Sequence, residues 1–173
     1  GRSEWIEKYD FLPEKLDFGP DVIWATLDHR GQGASAGPRA HVDSYDDFAM
    51  DVAALVRQAF GSKPYAIIAH SMGGLITLYG SLKHFLEPRA VFLSSPLMGL
   101  RPPIPGNIAR SVARIASISS FGILPTGFGT DRRDIFTDNV LTSSYKGFQT
   151  VLRSPYSKSA PSFGCVNATY WAL

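Results

Sequence analysis

The stretch that decides the fold is Tyr65-Ala-Ile-Ile-Ala-His-Ser-Met-Gly-Gly-Leu75. Its apolar first half predicts a strand over Tyr65–Ala69, buried on both faces of a sheet. The residues after Ser71 predict a helix over Met72–Phe85. A strand, a sharp turn with a serine at its tip and a helix together form the setting of a nucleophile elbow. The segment therefore predicts an exposed serine hydroxyl at the edge of an α/β sheet.

The chemistry of such an elbow explains the residues around the serine. The positions two residues before and after Ser71 approach each other, and the small residues Ala69 and Gly73 meet that requirement. The backbone N–H of Met72 opens the helix, where N–H groups and the helix dipole favour a developing oxyanion. A serine at a tight turn of another doubly wound fold is the alternative. A phosphate-binding loop is disfavoured because the turn contains no lysine.

Outward from the elbow, helix and strand patterns alternate. Asp21–Leu27 predicts a strand, and Asp28–Ser35, with Gly31 and Gly33, predicts a loop. Ser44–Phe60 predicts a helix with Ser44 as its N-cap, and Ala90–Ser94 predicts another buried strand. This β-α-β-α-β order predicts an α/β fold with a parallel central sheet flanked by helices.

The two ends of the chain have a different character. Glu4–Leu12 predicts a helix that ends at Pro13. Ile108–Phe121 predicts an amphipathic helix, which either contacts acyl chains as a lid or buries its apolar face on the sheet. Residues 122–173 have no clear period and are expected to be irregular. We expect residues 1–99 to form an α/β core and residues 100–173 to form a cap over the sheet.

Composition and charge limit the possible functions. The chain has 173 residues, 45% of them apolar, and a single cysteine, which predicts one globular domain without internal disulfides. Residues 101–173 carry 8 Lys and Arg against 3 Asp, so this part is basic and could favour a membrane surface. No basic cluster with interleaved aromatics suggests nucleic acid. We expect a cytoplasmic protein with peripheral membrane contact, and neither cofactor nor metal.

Several spaced motifs resemble the α/β-hydrolase superfamily, specifically its lysophospholipase L2-like and monoacylglycerol-lipase-like branch. The matching segments begin with Gly1-Arg-Ser-Glu and include the loop Asp28-His-Arg-Gly-Gln-Gly33, the elbow Ala69-His-Ser-Met-Gly-Gly74 and Leu93-Ser-Ser-Pro-Leu-Met98. Asn139-Val-Leu-Thr142 is similar to a cap motif of the lysophospholipase L2-like group. The resemblance implies an α/β-hydrolase fold with a helical cap and hydrolysis of lipid esters.

The resemblance also implies residue roles. Ser71 would be the nucleophile, and the backbone N–H groups of Met72 and Arg2 would bind the oxyanion. In this fold an acid and then a histidine follow the serine. The only histidine after Ser71 is His84, at the end of the predicted helix, and we expect it to be a surface residue. We therefore expect a fold incomplete at both ends, lacking its general base and acid, and nearly inactive by itself.

The remaining histidines and the cysteine are expected to be structural. Asp28 and His29 are expected to hold the loop up to Ser35, and His70 to pack beside the elbow. His41 has no evident partner, and Cys165 is expected to fill apolar space. A thioesterase or an acyltransferase would show the same elbow. A non-catalytic binding module, or the product of a degraded gene, is the alternative from another functional class.

Overall fold

A computed structural model describes residues 2, 4–100, 105–119, 121–127, 136–138, 142–156 and 161–173. Helices and strands are numbered here in chain order. They are α1 (Leu12–Leu16), α2 (Tyr45–Phe60), β1 (Ala66–His70), α3 (Met72–Leu82), β2 (Ala90–Ser94), α4 (Gly106–Ser117), α5 (Tyr145–Arg153) and α6 (Phe163–Ala172). Short 3-10 turns cover Ile6–Tyr9 and Phe136–Asp138.

The sheet at the centre of the described residues has two parallel strands. β1 and β2 pair in register from Ala66 opposite Ala90 to His70 opposite Ser94, and α3 connects them. This confirms the predicted β-α-β order around the elbow. The strand predicted over Asp21–Leu27 is wrong: among the described residues this segment pairs with no strand, and Trp24 stacks on Phe18 instead. Apolar and β-branched residues form a strand only where a neighbour completes the hydrogen bonds.

The prediction that both strands are buried on two faces is also wrong. All five residues of β2 are exposed, and Ala69 alone is buried in β1. α3 packs against β1 and α2 packs against α3, so helices cover the sheet on the β1 side. The apolar runs show the composition of a buried strand, but within the described residues no helix buries any residue of β2.

α2 forms as its sequence predicts. The Ser44 hydroxyl accepts a hydrogen bond from the backbone N–H of Asp46, which satisfies one of the free donors at the helix start. Gly61 ends the helix with a φ of 61°. At the N-terminal end of the chain the predicted helix is wrong in its bounds, because Pro13 lies in the first turn of α1 rather than beyond its end. Proline suits a first turn because the N–H it lacks has no helical partner there.

One hydrophobic core joins α2 and α3 to the C-terminal helix α6. Its buried members are Val42, Tyr45, Phe48, Met72, Leu75, Ile76, Cys165 and Ala168. Residues 122–173 are therefore not irregular as predicted, since α5 and α6 lie within them. α6 escapes periodicity analysis because its buried side consists largely of small residues, such as Gly164 and Ala168. No described helix is long and apolar enough to span a membrane.

The helix α4 packs on α6. The side of α4 that faces α6 is not the apolar side that the sequence pattern marks for burial. Only Ala113 is buried in α4, whereas Ile108, Val112 and Ile115 are exposed. The expectation that this apolar face is buried on the sheet is therefore wrong. Arg110 instead holds α4 on α6, with its guanidinium 5.6 Å from the centroid of the Trp171 ring.

Candidate active site

Ser71 occupies the sharp turn between β1 and α3. Its φ is 52° and its ψ is −118°, a combination that residues with a side chain rarely adopt. Such strain persists only where the surrounding structure fixes it, and it is concentrated at functional sites. The residue is half-buried. The geometry therefore agrees with an elbow that presents the hydroxyl at the carboxyl end of β1.

The end of β2 fixes the elbow through the backbone. The carbonyl of Ser94 accepts hydrogen bonds from the N–H of Ser71, at 3.1 Å, and from His70 Nδ1, at 3.0 Å. Because a carbonyl only accepts, Nδ1 of His70 carries its proton. The N–H of Leu97 donates to the carbonyl of Ser71 at 2.9 Å. His70 thus lies beside the elbow as predicted, whereas the role of residues 94–97 is not visible in the sequence.

The close approach at the elbow involves a different glycine from the predicted one. A Cβ added to Gly73 would lie 3.9 Å from the Cβ of Ala69, an ordinary contact. A Cβ added to Gly74 would lie 2.7 Å from the Cβ of Pro96, which is too close. The requirement for glycine therefore falls on position 74, because Pro96 packs across the first turn of α3. Ser95, just before that proline, also has a positive φ of 45°.

Met72, the predicted oxyanion donor, opens α3 and is only 1% exposed. A helix leaves its first N–H groups without partners in the helix, so the N–H of Met72 is available to an anion beside Ser71. The side chain of Met72 belongs to the core, and its sulfur accepts a hydrogen bond from Gln32 Nε2 at 3.8 Å. The backbone of the predicted donor is thus anchored by its own side chain.

Arg2, the predicted second donor, lies half-buried in a turn, whereas Gly1 is outside the described residues. Burial raises the pKa of the Tyr45 hydroxyl, and it raises the pKa of the Cys165 thiol to about 11. The positive charge of Arg2 acts on both groups in the opposite direction, so its side chain faces the start of α2 and α6. A thiol with so high a pKa is a poor nucleophile, in agreement with Cys165 as a core filler.

The loop Asp28–Ser35 contacts both the segment that follows Arg2 and the side chain of Met72. Asp28 Oδ1 accepts from the N–H of Ile6 at 2.9 Å, and Oδ2 accepts from the N–H of Ala34 at 2.8 Å. Arg30 forms two hydrogen bonds of 2.7 Å with Asp51, which tie the loop to α2. The prediction that Asp28 holds this loop is confirmed.

His29 does not hold the loop with its ring. Its Nδ1 is buried without a hydrogen-bond partner, and the ring meets the edge of Phe48 at 5.3 Å between centroids. Burial lowers the pKa of His29 to about 4. The ring is therefore neutral at physiological pH, and only the His29 carbonyl serves the loop, by accepting the N–H of Gln32 at 2.9 Å.

No described histidine acts on Ser71. None of the hydrogen bonds among the described residues involves its hydroxyl oxygen. His84 is exposed and lies beyond the far end of α3, a helix of 11 residues that is about 16 Å long. Three aspartates follow Ser71 in the sequence: Asp131 and Asp134 lie outside the described residues, and Asp138 ends a 3-10 turn. The motif residues 139–141 also lie outside the described residues.

His41, expected to have no partner, has two. Its Nδ1 lies 2.7 Å from the hydroxyl of Ser162, and its Nε2 lies 3.3 Å from a carboxylate oxygen of Asp43. The residue types are those of a serine–histidine–acid triad. However, Ser162 is fully buried and caps α6, where its hydroxyl accepts the N–H of Cys165 at 3.0 Å. No substrate carbonyl can reach a fully buried oxygen, so this cluster is structural.

Comparison with known proteins points in one direction. Residues 1–143 match the family described as serine aminopeptidase, S33. The chain is 34% identical over 167 residues to lysophospholipase L2 of Escherichia coli strain K12, which covers 88% of this chain and 48% of that protein. It is 28% identical over 152 residues to monoacylglycerol lipase of Mycolicibacterium smegmatis, covering 84% and 52% respectively. The chain thus spans about half the length of these curated relatives.

The fold has a counterpart among solved structures. The crystal structure of Paleococcus ferrophilus monoacylglycerol lipase superposes with a TM-score of 0.71 at 20% identity. The match covers 99% of this chain and 62% of that one. At this identity the likeness establishes the architecture, which is that of a central α/β sheet with the elbow at its edge.

Proposed function

The chain belongs to the serine aminopeptidase S33 family of α/β-hydrolases, and on that basis we propose that its full-length gene product is a serine hydrolase of carboxylic esters. The relatives named lysophospholipase and monoacylglycerol lipase support a fatty acyl ester as the substrate, either a lysophospholipid or a monoacylglycerol. The observation that carries the proposal is the strained backbone of Ser71 at the turn between β1 and α3.

In the proposed reaction the hydroxyl oxygen of Ser71 attacks the ester carbonyl, and its proton passes to a histidine base. The N–H groups of Met72 and Arg2 stabilise the tetrahedral oxyanion; one such donor contributes about 3–4 kcal/mol. Collapse releases the alcohol, which takes the proton, and leaves the acyl group on Ser71. Water, deprotonated by the same base, then releases the fatty acid and restores the serine.

Residues 1–173 by themselves are proposed to be nearly inactive. His84 is the only histidine after Ser71, and it lies at the wrong end of α3. Without a base a serine is a weak nucleophile at neutral pH. Binding and the oxyanion hole alone leave about 10³–10⁴-fold acceleration over water in a hydrolase stripped of its triad.

A fluorophosphonate probe tests the proposal, because it forms a covalent bond with an activated serine. The full-length gene product should be labelled, and Ser71→Ala should abolish the labelling. Ser81→Ala is the matched control, since Ser81 lies on the same helix and its hydroxyl has no hydrogen-bond partner in the described part of the chain. Absence of labelling of the unmutated protein would contradict the proposal, as would labelling that survives in Ser71→Ala.

A non-catalytic binding module is the second candidate. It is favoured by one observation, that no described side chain hydrogen-bonds the hydroxyl of Ser71. The coding sequence on both sides of this segment separates the candidates. An acid and then a histidine encoded beyond Leu173 support the hydrolase, whereas a stop codon directly after Leu173 supports the binding module.

We further propose that residues 100–173 form a cap and that α4 is its contact with lipid. The apolar face of α4 is exposed, with Ile108 at 51% and Ile115 at 67%. Arg110 and Arg114 lie on the other side of α4, and the basic charge of residues 101–173 suits anionic headgroups. One apolar face with arginines on the polar face is typical of helices that lie in a membrane interface.

A further inference from the structure

One loop contacts the two segments that carry the proposed oxyanion donors, at Ile6 and at the side chain of Met72. We propose that Asp28 is a positioning residue, which sets the backbone of Arg2 relative to that of Met72; the inference rests on the proposed function. Asp28 touches neither substrate nor Ser71 in this assignment. It acts through the loop Asp28–Ser35, called here the spacer loop.

The first contact of the spacer loop fixes the segment that carries Arg2. Asp28 Oδ1 accepts the N–H of Ile6 at 2.9 Å, across 22 positions of the sequence. Trp5, next to that N–H, is 6% exposed and therefore anchored in the interior. Arg2 is only three residues from this double anchor. The position of its N–H thus depends on where Asp28 holds the chain.

The second contact fixes Met72. Gln32 is 5% exposed, and its Nε2 donates to the sulfur of Met72 at 3.8 Å. Met72 is itself buried in the core at the start of α3. The spacer loop therefore contacts the side chain of Met72 with Gln32, and it contacts the segment that follows Arg2, at Ile6, with Asp28.

The spacer loop is stiff enough to transmit a distance. Gly33 has a φ of 48°, and a Cβ at that position would overlap the carboxylate of Asp28. Arg39 donates to the carbonyl of Gly33 at 2.7 Å, within the loop's own neighbourhood. Asp28 Oδ2 closes the loop by accepting the N–H of Ala34 at 2.8 Å. The same carboxylate thus closes the loop and holds the oxyanion segment.

Oxyanion donors act only within a narrow range of positions, about 2.7–3.1 Å from the developing anion. Displacement by about 1 Å can reduce the rate about 10²-fold. Asp28→Asn keeps the shape of the side chain but replaces one acceptor oxygen with an N–H₂ donor. That group faces a backbone N–H, so one of the two hydrogen bonds is lost and the segment shifts.

The test uses the full-length gene product and two readouts, hydrolysis of p-nitrophenyl butyrate and inhibition by an alkyl boronic acid. The boronate forms a tetrahedral adduct whose oxygen occupies the oxyanion hole. For Asp28→Asn we expect kcat to fall about 10–100-fold with KM little changed, and boronate affinity to fall by a similar factor. A purely structural role would lower the melting temperature without this proportional change.

Two further variants keep the inference falsifiable. Asp51→Asn weakens the link from Arg30 to α2, which the ion pair of Arg30 with Asp47 at 3.1 Å still holds, and it leaves both contacts of the spacer loop. It should lower stability slightly and preserve kcat and boronate affinity. Gln32→Leu removes the hydrogen bond from the spacer loop to the sulfur of Met72. It replaces Asp28→Asn as the test of the inference if that variant does not fold. Its kcat and boronate affinity should fall together.

Unchanged kcat and boronate affinity in Asp28→Asn, or in Gln32→Leu where the first variant is unfolded, would overturn the inference. So would an equal effect in Asp51→Asn. Failure of the proposed function is a separate result, because the unmutated protein would then not be labelled at Ser71 by fluorophosphonate.

Discussion

At the scale of single residues, Ser71 shows what a sequence reveals and what it leaves out. The strand, turn and helix pattern predicts its position, because each part of that pattern is local. Its supports are not local: the carbonyl of Ser94 and the N–H of Leu97 lie more than twenty positions away. For the same reason the pattern assigns the close contact to Gly73, whereas Pro96 places it at Gly74.

Alanine at the two glycines of the elbow should have opposite effects on stability. Gly73→Ala fits without a clash and gains helix propensity, so we expect about 0.5–1 kcal/mol of stabilisation. Gly74→Ala pushes against Pro96, and overpacking of this kind costs about 1–3 kcal/mol. Urea unfolding monitored by circular dichroism measures both. A Gly74→Ala protein as stable as Gly73→Ala would show that Pro96 does not press on the helix.

His29 should make the protein sensitive to mild acid. Its pKa is about 4 when folded and about 6.5 when unfolded, because burial disfavours the charged ring. The folded state therefore holds its full stability above pH 6.5 and loses up to about 3 kcal/mol as pH falls toward 4.

The comparison that isolates this effect is between the wild-type protein and His29→Phe. Phenylalanine keeps the contact with Phe48 and does not titrate, so the free energy of unfolding should decline less between pH 6.5 and 4. His84→Gln, at an exposed position, should follow the wild-type curve. Parallel curves for wild type and His29→Phe would contradict the assignment.

At the scale of elements, a helix is predicted correctly from the sequence when the residues that define it lie within or next to that helix. α2 is predicted with its cap because Ser44, the acids of the first turn and Gly61 are all local signals. α6 is missed because its partners lie more than a hundred residues away: His41 meets Ser162, and Tyr45 meets Thr169. The helix α4 is predicted from its apolar face, but the side that is buried depends on its contact with α6 and is not a local signal.

The serine caps of α2 and α6 should differ in their contribution to stability. Ser44→Ala removes a partly exposed cap and should cost about 1 kcal/mol. Ser162→Ala removes a buried cap and also leaves His41 Nδ1 unpaired, which adds about 1–3 kcal/mol. Chemical denaturation of both variants measures the difference. Equal losses would mean that the bond between His41 and Ser162 contributes nothing.

At the scale of the whole molecule, the sequence correctly predicts the α/β-hydrolase fold, but it does not predict how far β1 and β2 are buried. The apolar composition of β1 and β2 is that of strands covered on two faces, but within the described residues α3 and α2 cover only the β1 side. Burial is a property of the assembled layers rather than of the strand. The basic charge of residues 101–173 is likewise visible in the sequence, whereas the exposure of the apolar face of α4 is not.

The lipid contact proposed for α4 predicts binding to vesicles. The full-length gene product should bind vesicles of phosphatidylglycerol and phosphatidylcholine, and Ile115→Glu should weaken binding at least tenfold, since burying such a side chain contributes about 1.5–3 kcal/mol. Leu82→Glu, at an exposed apolar position of α3, is the control and should bind as wild type. Equal binding by both variants, or none by wild type, would exclude α4 as the contact.

The exposed β2 strand has a consequence for handling the protein. Among the described residues β1 and β2 each have an open edge, and Val91, Phe92 and Leu93 are exposed on β2. Open edges of apolar strands template aggregation between molecules, although the charge of Arg89 at the start of the strand opposes it. A preparation of residues 1–173 should therefore lose monomer faster as its concentration is raised.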